Sequence, residues 1–490
     1  MSEIGSVRAA RFAAILIAAL ALTFFATGAA AGASSLPANS VGVNALLLFG
    51  APQSTWARHL NQMQQGGIAF VRSDADWSWA EPNPPSGGVH AYEWSVFDSV
   101  VAALAQHGMT WFPIVDYSAS WAAAQPGNRL SPPSSDSTFA TYAAALAKRY
   151  GAAGEFWRMH PDLPYHPVEQ WEIWNEENGG YFWQPSPDPS AYIDLYLAAR
   201  SAIRAVDPTA RAVVGGLTGN ATTNTFIDGM YRHRPDARGQ VDAIGLHPYP
   251  QDSAETAGSS LQLISSVRTH LNYLGDQNVP IEITEAGWTT LGIGALSDAA
   301  RAAQMTQLLM GIAGSNLGVS LFMPYTWVTD QTTDGWGMFH WDGTPTLEGS
   351  AFLAALKALG AAPVATPPSA PPTPTASAPV SPGSVAVSPP RLERPRTVHF
   401  TITCPSSRST CAGISQTRFA ARAAASLATS RRSLIRRFSL TGGSSATFQL
   451  RVPARLRRLA ARRHLWISVS LTEHATPAGA SATGRVVALI

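Results

Sequence analysis

Charge is scarce in this 490-residue chain: only 13% of residues are Asp, Glu, Lys or Arg, about half the usual share. Lysine occurs twice, at Lys148 and Lys357, and cysteine twice, at Cys404 and Cys411. Two cysteines cannot frame a disulfide-rich scaffold or ligate a zinc cluster on their own. No Gly-rich phosphate turn follows the first apolar run, no GxSxG elbow occurs, and no cysteine lies before residue 404 to act as a nucleophile there. His160 and His166 sit in HPDLPYH, a Pro-interrupted spacing that fits neither a helical HExxH pair nor a zinc finger, so no metal site and no organic cofactor is expected. With 46% hydrophobic residues the chain does bury a core, which excludes a wholly disordered protein. Its length calls for a large domain and a smaller companion.

The net charge of +2 conceals two opposite halves. Residues 391–490 hold 17 Arg, no Lys and two acids, Glu393 and Glu473, a balance of +15 that leaves −13 for the remainder. At the N-terminus, Arg8 and Arg11 precede an apolar run from Ala13 to Ala26 and then small residues, the layout of a secretory signal peptide over 1–33. The alternative, an uncleaved anchor, needs roughly 20 apolar residues, and no other stretch is long enough to span a membrane. Residues 361–390 are rich in Pro, Ala, Ser and Thr and read as an extended linker.

Between these breaks, over 40–360, eight short β-rich runs alternate with helical patterns. The runs are 41–49, 68–74, 110–117, 170–176, 211–217, 241–249, 280–288 and 319–327, and helical spacing marks 94–108, 138–151, 191–206 and 298–314. This predicts an α/β fold, a (β/α)8 TIM barrel; a doubly wound open sheet is the alternative. Barrel chemistry sits where strands end.

Two of the runs deliver a glutamate where the strand is expected to end, in WEIWNEEN (171–178) and IEITEAGW (281–288). Alternation along the second puts Ile281, Ile283 and Glu285 on one face, so two isoleucines are expected to fill the barrel beneath the carboxylate, which favours Glu285 over Glu282. In the first, adjacent Asn175 and Glu176 cannot both point inward from a regular pleat, which predicts a bulge or early strand ending. Two carboxyls across a barrel mouth suit glycosidic cleavage, one donating a proton and one remaining ionised. Arg72, in FVRSD, is a fitting cation to keep the second ionised. Glutamates at strand ends otherwise serve as solvated or helix-capping groups.

These stretches, WEIWNEEN, ITEAGW, FVRSDADW and GLHPYP, resemble the retaining glycoside hydrolases of the (β/α)8 clan A, closest to families 39 and 5, the latter cellulase-like. The resemblance covers roughly residues 40–355. It implies Glu176 as acid/base and Glu285 as nucleophile, with Arg72 supporting Glu285 and Asn175 bonding the sugar 2-hydroxyl. It also implies that His247 and Tyr249 line the site, with Tyr249 near Glu285, and that Trp327 floors the sugar. Glu177 stands where many members carry proline, and so competes for the role of acid.

Fifteen tryptophans include many near the ends of runs. Aromatic faces suit the apolar C–H faces of sugars, and Trp327 and Trp183 are the expected sugar contacts, although Trp also fills packing space. Residues 391–490 alternate apolar and polar in three runs, which predicts a small β-sandwich, with Cys404 and Cys411 closing a short disulfide loop in an exported protein. Its arginines suit an anionic cell-wall polymer, although Arg dominates Lys across the whole chain, and no motif for specific nucleic-acid recognition is present. The expectation is a secreted or cell-surface glycosidase acting on a β-linked poly- or oligosaccharide; the alternative is a non-catalytic glycan-binding wall protein on the same scaffold.

Overall fold

The computed structural model describes residues 36–250, 256–292, 294–329 and 334–364, and beyond them strand segments between 386 and 489. The expected signal peptide at 1–33 lies outside the described residues, as do residues 365–385 of the expected linker at 361–390. The chain divides into two compact units at Pro367.

The first unit is a (β/α)8 barrel. Its strands β1 (Gly42–Asn44), β2 (Phe70–Asp76), β3 (Thr110–Asp116), β4 (Gln170–Asn175), β5 (Arg211–Thr218), β6 (Ala243–His247), β7 (Ile281–Ile283) and β8 (Val319–Phe322) run parallel in sequence order, and a bridge between Val41 and Phe322 joins the two ends of the sheet. Each strand is followed by a helix: α1 (Gln53–Gln65), α2 (Ser95–Gln106), α3 (Asp136–Tyr150), α4 (Pro189–Val206), α5 (Thr223–His233), α6 (Ala257–Tyr273), α7 (Asp298–Ala313) and α8 (Leu347–Ala358). The run 41–49 is strand only to Asn44. Its continuation Leu46–Gly50 is helical, in keeping with leucines, which are not branched at Cβ and lose little rotamer freedom in a helix. Four helices escaped the apolar pattern, among them α6, whose interior is crowded with serine, a residue that competes for backbone hydrogen bonds.

Side chains sort cleanly between two layers. Phe112, Val213, Ala243, Leu321 and Met323, with Phe70 against them, fill the barrel, while Val43, Val71, Ile173, Val214, Ile244 and Phe322 pack outward under the helices. Ile281 and Ile283 belong to the outer layer, which corrects the expected column. The inward residues of this segment are Glu282, paired with Arg211 at 3.2 Å, and Thr284. Glu285 reaches the cleft because the regular strand ends at Ile283, after which alternation no longer decides direction.

In the second unit, Thr397–Thr403 pairs antiparallel with Arg391–Arg394 and Ser445–Arg451, and Thr410–Ala423 pairs antiparallel with Leu434–Thr441 and Leu465–Glu473. Cys404 and Cys411 are disulfide-bonded. Val398, Phe400, Ile402 and Leu450 are buried, as period-2 alternation requires. The remaining side chains that a sandwich would bring face to face lie for the most part outside the described residues.

Candidate active site

Two strand ends break their regular geometry where the carboxylates emerge. Strand β4 stops at Asn175, as expected, and Trp174 and Glu176 adopt positive φ values of 71° and 48°. For residues with a Cβ such conformations cost about 1–3 kcal/mol each. They bring Asn175 and Glu176, neighbours in sequence, to the same cavity. The Trp174 indole, which donates to the Phe182 carbonyl at 2.8 Å, helps to hold the turn.

Arg72 organises the floor. Its guanidinium is 1% exposed and donates to Glu172, Glu285, Asn44 and Asn175. Because the Asn175 side-chain oxygen is taken by Arg72, the group Asn175 offers to the cleft is its amide NH2. Tyr249 donates to the other oxygen of Glu285 at 2.7 Å. Burial raises the Glu285 carboxyl, but charge on His247 and Arg72 and hydrogen bonds from Tyr249 and Arg72 outweigh it and bring the group below its ordinary value. The Tyr249 hydroxyl is itself pushed well up by burial and by the Glu285 charge, so it remains a donor.

A second chain of hydrogen bonds reaches Glu176. Glu172 accepts from the Thr284 hydroxyl at 2.8 Å, so that hydroxyl accepts from His247 Nε2 at 3.0 Å. His247 thus turns Nδ1 to Glu176, at 2.9 Å. The imidazole fits only because residue 216 is glycine: a Cβ there would stand 1.8 Å from the ring. One oxygen of Glu176, one of Glu285 and a ring nitrogen of His247 all lie within 4.8 Å of one another. These three are the donors that a cation would use, but Arg72 already places a fixed positive charge on Glu285, which opposes binding another. The arrangement instead suits one carboxylate held ionised beside a second that exchanges a proton.

Of the residues singled out from sequence, Glu176, Glu285, Arg72 and Asn175 line one cavity, and Tyr249 bonds Glu285 from beside it. His247 is fully buried behind the carboxyls and does not line the cleft. Trp327 and Trp183 require correction. Trp327 is fully buried, stacks on Phe339 with ring centres 4.1 Å apart and donates to His59; Trp183 is buried between Trp174 and Tyr192. The aromatics at the cavity are Tyr117, Phe182 and Tyr325. Glu177 points away from the cleft, against Gly215 and Tyr192, and burial raises its carboxyl well above the ordinary value. Sequence reasoning also missed Asn44, Glu172 and Thr284. For Glu172 a signal existed: an acid in mid-strand, between Trp171 and Trp174, demands a buried cation.

The model of the cellulase family (glycosyl hydrolase family 5) matches residues 31–323. Among solved structures, the chain is similar to a glucosidase from Croceicoccus marinus, with 14% identity over 84% of this chain and 93% of that one and a TM-score of 0.50. It is similar also to a monomeric β-xylosidase from Caulobacter crescentus CB15, with 13% identity over 86% and 95% and a TM-score of 0.50. A family 39 glycoside hydrolase from the gut symbiont Bacteroides cellulosilyticus WH2 shows 14% identity over 86% and 81%, again with a TM-score of 0.50. At these identities the likeness is one of fold. No curated protein matches the sequence.

Proposed function

The chain belongs to the cellulase family, glycosyl hydrolase family 5, and from that premise we propose that it is a secreted, retaining glycosidase of a β-linked poly- or oligosaccharide, with Glu285 as nucleophile and Glu176 as acid/base. The observation that carries this reading is the short gap between the two carboxyls, whose nearest oxygens lie within 4.8 Å. Retention calls for carboxyl groups about 5–5.5 Å apart and inversion for about 6.5–9.5 Å, to admit a water. Glu285, kept ionised by Arg72 and Tyr249, attacks the anomeric carbon while Glu176 protonates the departing oxygen. Glu176 then takes a proton from water, which releases the sugar with its configuration retained. His247, fixed through Thr284 and Glu172, orients the Glu176 carboxyl and holds it near Glu285. Export rests on the 1–33 pattern, and attachment to an anionic wall polymer rests on the +15 charge of residues 391–490. Among the described residues no helix is long and apolar enough to cross a membrane.

The test is hydrolysis of aryl β-glycosides, with NMR of the first-formed anomer. We expect the β-anomer to appear first. Glu285→Ala is expected to abolish turnover and, with azide, to yield an α-glycosyl azide; Glu176→Ala is expected to yield the β-azide. A first-formed α-anomer, or wild-type rates in Glu285→Ala, overturns the proposal.

A further inference from the structure

The cavity that holds Glu176 and Glu285 has a volume of about 170 Å³. Sites for drug-sized ligands run to roughly 300–1,000 Å³, so this one suits a single sugar ring. One of the residues on its wall has no task in the chemistry described above. Asp74 lines the cavity from the end of β2, and no described residue donates a hydrogen bond to it. Behind it, at the end of β3, Asp116 is fully buried with neither carboxyl oxygen bonded to a described residue. The third acid of the group, Asp76, is different: it accepts from Arg129 and from the Ser78 backbone. Asp74 is half-buried, exposed only toward the cavity's side of the strand end, so its carboxyl is open to a hydrogen-bond donor that arrives with the ligand. The neighbourhood supports this. Burial and the nearby Asp76 push the Asp74 carboxyl up to about 7, so it is able to accept or donate near neutrality. Tyr117, at the end of β3 and stacked on Phe182, completes the wall beside it.

Position on the barrel decides which sugar atoms meet Asp74. On the proposed reading the reacting carbon lies between Glu176 after β4 and Glu285 after β7, and the family resemblance sets Asn175, whose amide NH2 is open to the cavity, against the 2-hydroxyl. The next ring carbons then lead round the barrel past β3 to β2. We propose that Asp74 is a specificity-determining residue that hydrogen-bonds the sugar's 3- or 4-hydroxyl in this cavity. The assignment rests on the reading of Glu176, Glu285 and Asn175 given above.

The experiment uses the full chain and the 4-nitrophenyl β-glycoside that it turns over fastest from a panel of hexosides and pentosides, together with the 3-deoxy and 4-deoxy forms of that glycoside. Wild type is expected to prefer the parent over one of the deoxy forms by roughly 10- to 100-fold in kcat/KM, the loss that follows when a polar group is left without its hydroxyl. In Asp74→Ala that preference is expected to shrink to within about threefold. Because the ratio compares two substrates on one protein, a general structural defect cancels from it. Wild type that handles both deoxy forms as well as the parent overturns the assignment without any variant, as does Asp74→Ala with its discrimination intact. Asp74→Asn keeps the shape, and is expected to raise KM more than it lowers kcat. If wild type turns over no glycoside of the panel, the hydrolase reading of the cleft fails and this assignment with it; turnover without discrimination at these hydroxyls removes only the assignment.

Discussion

Arg72→Met is the most informative single substitution, because one side chain both balances a buried acid and tunes Glu285, the proposed nucleophile. Methionine replaces the stem but not the charge, so Glu172, fully buried and bonded to Arg72 through Nε, keeps only the Thr284 hydroxyl. Removing one partner of a buried pair costs about 3–5 kcal/mol, because the remaining charge is left uncompensated. Removing both partners is often nearly neutral. Urea unfolding is therefore expected to show a large loss for Arg72→Met, with part of it, about 1–3 kcal/mol, regained on adding Glu172→Gln. The effect on activity has a definite sign. Arg72 favours the ionised form of Glu285; without it the carboxyl titrates higher, and the acidic limb of the kcat/KM profile, which reports the free enzyme, moves to higher pH. Additive stability losses together with an unmoved acidic limb would refute the role assigned to Arg72.

Other substitutions probe the remaining supports. Tyr249→Phe removes a hydrogen bond to a carboxylate, worth about 1.5–3 kcal/mol, and is expected to lower kcat/KM by roughly 10- to 100-fold with little change in unfolding midpoint. Gly216→Ala sets a methyl group 1.8 Å from the His247 ring, so the imidazole must leave Glu176; activity is expected to fall further than in Gly239→Ala, where a Cβ meets nothing within 4 Å but φ is +76°, a control for backbone strain alone. Two carboxyls also give stability a pH-dependent component of definite sign. Asp74 and Glu282 titrate near 7 in the folded chain through burial, above their unfolded values near 4. The folded state then holds more protons between about pH 4 and pH 7, and stability falls as pH rises through that window. Urea midpoints measured against pH should show this decline, and Asp74→Asn should flatten it.

Much of the barrel was legible because strand and helix periods leave different marks on sequence. All eight strands overlap the short β-rich runs, and helices α2, α3, α4 and α7 follow the spacing of their apolar residues. The exceptions have physical causes. Leu46–Leu48 read as strand by hydropathy yet fold as helix, and α6 hides behind serine. The site was legible to the extent that chemistry is carried by residue type. Carboxylates, one arginine and one tyrosine have few structural reasons to cluster at strand ends, and all of these meet there. Aromatics have many reasons to be anywhere, which is why Trp327 and Trp183, chosen for size, proved to be packing, whereas Tyr325, two residues earlier than Trp327, lines the cavity.

The alternation that points to Glu285 is not the geometry that brings it to the cleft. Alternation would place it above Ile281 and Ile283, and these face the helices; the residues that follow alternation into the barrel are Glu282 and Thr284. A carboxylate that obeys the pleat, such as Glu172 or Glu282, ends inside the barrel, where it is consumed by Arg72 or Arg211. A carboxylate that opens on the cavity has to leave the pleat, and both Glu176 and Glu285 do so, one through left-handed backbone at the end of β4 and the other just past the end of β7. Position one or two residues beyond a strand's last regular pair, more than facing within the strand, is therefore the feature that separates the two acids at the cavity from the two that support them.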